Sequence, residues 1–222
     1  MTIRSIQMID SEIALLISVA HGVDQAVYVD AVTDFESAGL RVLIERREPE
    51  FFAALQYFGP TVVMVWLLKP YTDKFLGKLA EDNYESCKAA LKALWTKFAA
   101  KDRPLHWVIT GTKGKVSEET LASEISFLAR TSDEQAFRLL FPKDVSAETF
   151  ETAVRNFYAL IAQHDRDPKS SPLSDSPPFQ FGGTRQRILT VVQAPERLVE
   201  VDVVGSSQTG TLVMAEITDR IP

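Results

Sequence analysis

The sequence predicts an α+β fold: a mostly antiparallel sheet covered on one face by helices, including a long amphipathic helix near 70–100. Three observations carry that prediction. Apolar or alternating runs of strand length recur from residue 13 to residue 217. Stretches of helical period lie between several of them, the pattern of layered helix and sheet. Of the 222 residues, 45% are hydrophobic and 24% charged, the balance of a globular chain with a core to bury.

The first fifty residues read as strand, helix, strand. Ile13–Ala20 is a short continuous apolar run, as a buried strand requires. Asp24 can cap a helix over 24–38, in which Tyr28, Ala31, Val32, Phe35 and Ala38 recur at helical spacing. Gly39 stands where a helix wants a left-handed residue, and Leu40–Glu45 reads as the next strand.

Residues 49–100 are expected to be mainly helical. Phe51–Leu68 carries no charge, and Gly59-Pro60 interrupts it. Beyond Pro70, Ala80, Tyr84, Cys87, Leu91, Leu94 and Phe98 form one apolar seam at alternating steps of 4 and 3.

Leu105–Thr110 reads as a strand. The alternation of Ile125, Phe127 and Ala129, then Phe137, Leu139 and Phe141, predicts a hairpin about the turn at 131–134. Ser146 caps the next helix, with Val145 and Phe150 placed as a hydrophobic staple and Phe150, Val154, Phe157 and Ile161 as its buried stripe. The segment 165–179 holds four prolines and four serines and reads as a linker. A β-meander follows, in which Val199, Val201 and Val203 alternate with Glu200 and Asp202, so that the acidic side is expected to face solvent. The expected organisation is a core over 1–164, the linker, and a meander over 180–222 packed on the same domain.

Composition narrows the chemistry. One cysteine, Cys87, excludes an internal disulfide and a cysteine-based zinc site. Three histidines make a histidine-only metal site improbable, and no nucleotide-binding, zinc-protease or serine-hydrolase motif is present. No cofactor is expected. The net charge of −6 argues against nucleic-acid binding through a global field. The start of the chain has no basic leader before its apolar run, so cytoplasmic residence is the expectation.

The charge is unevenly spread. Residues 1–50 hold 4 basic and 9 acidic groups, whereas 51–103 hold 8 basic and 5 acidic groups with 10 of the 21 aromatic residues. That segment is therefore the expected interaction surface, through Phe58, Trp66, Lys88 and Lys92, for a protein partner or for self-association. Its uncharged run and following lysines also suit conditional contact with an anionic membrane surface. An enzymatic reading rests on His21 at a strand end, or on the loop Gly111, Lys113, Gly114 and Lys115, whose glycines and lysines could cradle an anion. His164 beside Asp165 is explained more simply by the preference for histidine at a helix C-terminus. The expectation is a non-catalytic interaction or regulatory module working through 51–103 or an exposed sheet edge.

Overall fold

The computed structural model describes residues 15–20, 28–47, 63–67, 84–96, 122–132, 135–142, 145–168, 179–181, 184–193, 196–202 and 213–216. Its strands are β1 (Leu15–Ala20), β2 (Val42–Arg47), β3 (Val63–Leu67), β4 (Ala122–Arg130), β5 (Ala136–Phe141), β6 (Phe179–Phe181), β7 (Thr184–Gln193), β8 (Glu196–Asp202) and β9 (Val213–Glu216). Its helices are α1 (Val29–Ser37), α2 (Tyr84–Leu94) and α3 (Ala147–Arg166). The strands join one sheet in the order β2-β1-β3-β4-β5-β7-β8-β9, with β6 paired to β7. Five of the pairings are antiparallel, and three are parallel: β1 with β2, β3 with β4 and β5 with β7.

Local signals explain the ends of the elements. Gly39 closes α1 with φ 74°, and its N–H reaches the Glu36 carbonyl at 2.8 Å. Only a residue without Cβ adopts that left-handed geometry freely. At the start of α3 the Ser146 hydroxyl accepts from the Thr149 N–H at 3.0 Å, and Val145 and Phe150 are both buried beside it. The staple is therefore present as the sequence implies. The first helix begins at Val29, and the expected cap Asp24 lies outside the described residues.

One core cluster joins the inward sides of all three helices to alternate residues of the strands. Phe35 of α1, Leu91 of α2 and Phe150, Val154 and Phe157 of α3 meet Ile17, Val65, Phe127, Leu139 and Leu189. These strand residues are register partners along one face, since Ile17 pairs with Val65, Val65 with Phe127, Phe127 with Leu139, and Leu139 with Leu189. The described helices thus cover a single face, as predicted. Aromatic edges lock the middle, with Phe127 set edge-on to Phe141, Phe150 and Tyr158 at 5.7–6.3 Å. The reverse face is buried too: Leu16, Ser126, Leu140, Ile188 and Val201 are each less than a tenth exposed. Such double burial suits strands that are apolar nearly throughout, as β5 is.

The first two parallel units have a common plan. The unit β1-α1-β2 and the unit β3-α2-β4 are antiparallel to each other across the β1–β3 pair, with α1 packed on α2 over the same face. A topological two-fold normal to the sheet relates them. No internal sequence repeat accompanies it.

Two expectations are corrected. Residues 63–67, expected within a helical segment, form β3 between β1 and β4. An uncharged run of this kind fits a buried strand as well as a buried helix, and the β-branched Val63 and Val65 favour the strand. Glu200 of the meander, expected to face solvent, is only 6% exposed. The expected strand at 105–110 and most of the linker fall outside the described residues, as do the parts of the expected 70–100 helix beyond α2 and residues 95–96.

Candidate functional site

The structure describes only some of the residues singled out by the sequence. His21, Phe58, Gly111, Lys113, Gly114 and Lys115 lie outside the described residues. Trp66 belongs to the central strand β3, with its main chain between β1 and β4. Lys88 reaches Glu151 of α3 at 4.0 Å, a pair inside the chain, while Lys92 on α2 is exposed. The inner side of α2 is core, with Ala90, Leu91 and Leu94 buried. His164 is buried with its ring 5.3 Å from that of Phe137, whereas Asp165 accepts from the Ser132 N–H and hydroxyl at 2.6 and 2.7 Å. These two neighbours therefore serve different parts of the structure: one fills the core and the other ties the β4–β5 turn to the end of α3.

One buried polar cluster among the described residues has no counterpart in the sequence expectations. Arg187 on β7 donates from Nη1 to Glu200 Oε1 on β8 at 2.6 Å, and from Nε to Gln135 Oε1 at 2.8 Å, just ahead of β5. Arg187 and Glu200 are each under a tenth exposed. The register places Leu189 opposite Glu200, so Arg187 crosses the ladder diagonally and stays on the helix-bearing face. The charged Arg187 thereby fastens three successive segments of the sheet. Alternation in β8 exposes the signal only in hindsight: an acid among valines looks solvated until the parallel β5–β7 pairing carries its strand beneath α3. Taken alone this is a structural lock, a role that buried ion pairs can take in fixing register.

At the other end of the sheet β2 has a different character. It is the terminal strand of the order and pairs with β1 alone among the described strands. The Leu15 N–H donates to the Arg41 carbonyl at 3.1 Å. In a parallel ladder successive residues turn their main-chain groups to alternate sides. Arg41, Leu43 and Glu45 accordingly bond toward β1, and Val42, Ile44 and Arg46 present their N–H and C=O groups outward. Val42 and Ile44 lean on the core, Arg46 is exposed, and Leu43 is one of only two exposed large hydrophobic residues among those described, at 38%. Glu45 accepts a bond from the Ser18 hydroxyl at 3.3 Å.

Among the described residues no group of three or more His, Cys, Asp or Glu could hold a metal ion, and no helix is long and apolar enough to cross a membrane. No family model matches the chain, and no curated protein or solved structure is similar to it.

Proposed function

We propose that the chain is a non-catalytic interaction module whose partner adds an extended strand to the outer edge of β2, which no other described strand takes. The observation that carries this reading is the outward row of main-chain groups at Val42, Ile44 and Arg46 beside the exposed Leu43. Proteins commonly shield such edges with proline, bulges, lysines or a covering element. β2 has no proline within it, pairs in unbroken register with β1, and leaves a leucine in solvent. Main-chain hydrogen bonds then supply affinity, and alternate side chains supply selectivity.

Two facts favour β2 over the described parts of the 51–103 segment, β3 and α2, as the docking surface. β3 is flanked by strands on both sides, and α2 spends its apolar side on the core. The exposed Lys92 remains available to a partner that extends past the edge.

A library of extended peptides displayed on phage tests the reading. Selection is made on the full chain and counter-selection on an Arg46→Pro variant. Proline there removes one outward N–H while leaving the bonds to β1 intact. Peptides enriched on the wild type and depleted on the variant are expected. Equal enrichment on both would end the strand-addition reading.

A further inference from the structure

We draw no further inference here: the strongest candidate, the buried side-chain cluster of Ser126, Arg138 and Thr190 on the face of the sheet turned away from the described helices, carries nothing, because nothing in the structure shows what covers that face.

Discussion

Arg187 and Glu200 meet at 2.6 Å on the helix-covered face of the sheet, each with a side chain less than a tenth exposed. Removal of one partner leaves the other charged and buried. The single variants Arg187→Met and Glu200→Leu are each expected to lose about 3–5 kcal/mol in urea unfolding. The double variant is expected to recover part of that loss, because no charge is stranded while the buried Gln135 still loses its donor. Single variants that cost under about 1 kcal/mol would show that water screens the pair.

The cap of α3 makes a smaller and cleaner prediction. Ser146→Ala removes the acceptor of the Thr149 N–H while leaving Val145 and Phe150 in place. A loss of about 1 kcal/mol is expected, and Ser146→Asp should retain most of the stability because aspartate caps equally well. A thermal melt of the three proteins checks both halves.

Gly39 holds a left-handed backbone at the end of α1. Gly39→Ala is expected to destabilise by about 1–2 kcal/mol, the cost of placing a Cβ in that region. Gly39→Asn should cost less, since asparagine tolerates the conformation. Equal losses for the two variants would mean that packing rather than φ governs the position.

Asp165 predicts a local effect rather than a global one. Its carboxylate holds Ser132 by two bonds across 33 residues of sequence. Asp165→Ala is expected to cost about 1 kcal/mol and to accelerate deuterium exchange at the Ser132 amide well before the β5 amides respond. Unchanged exchange at Ser132 would show that the turn stands without this tether.

The parts of the fold that were legible in the sequence are those set by neighbouring residues. Ser146 with its staple, Gly39, and the alternation that makes the β4–β5 hairpin each state their own geometry within a few positions. The strand at 63–67 was not legible, because Val63–Leu67 sits in an uncharged run whose periodicity does not separate a buried strand from a buried helix. Glu200 was misread for a different reason. Its flanking valines report the alternation of β8, but burial of the second side depends on α3, whose helix lies more than thirty residues upstream. The candidate docking edge was only half visible: the sequence marks Val42–Ile44 as strand, while its terminal place in the sheet follows from long-range pairing alone.

The strand order has a consequence for how the molecule is made. After β1 and β2 have paired, β3 takes the far side of β1, and β4, β5, β7, β8 and β9 then follow one another outward from it. A chain emerging from the ribosome can therefore extend its sheet in one direction, each new strand closing the border left by its predecessor. The outer border of β2 is different. It is present as soon as the first βαβ unit forms, and none of the later described strands returns to it. If β2 takes an added strand, as proposed, its border is ready for it before the C-terminal meander exists. That order of events would make assembly an early step in the life of this chain.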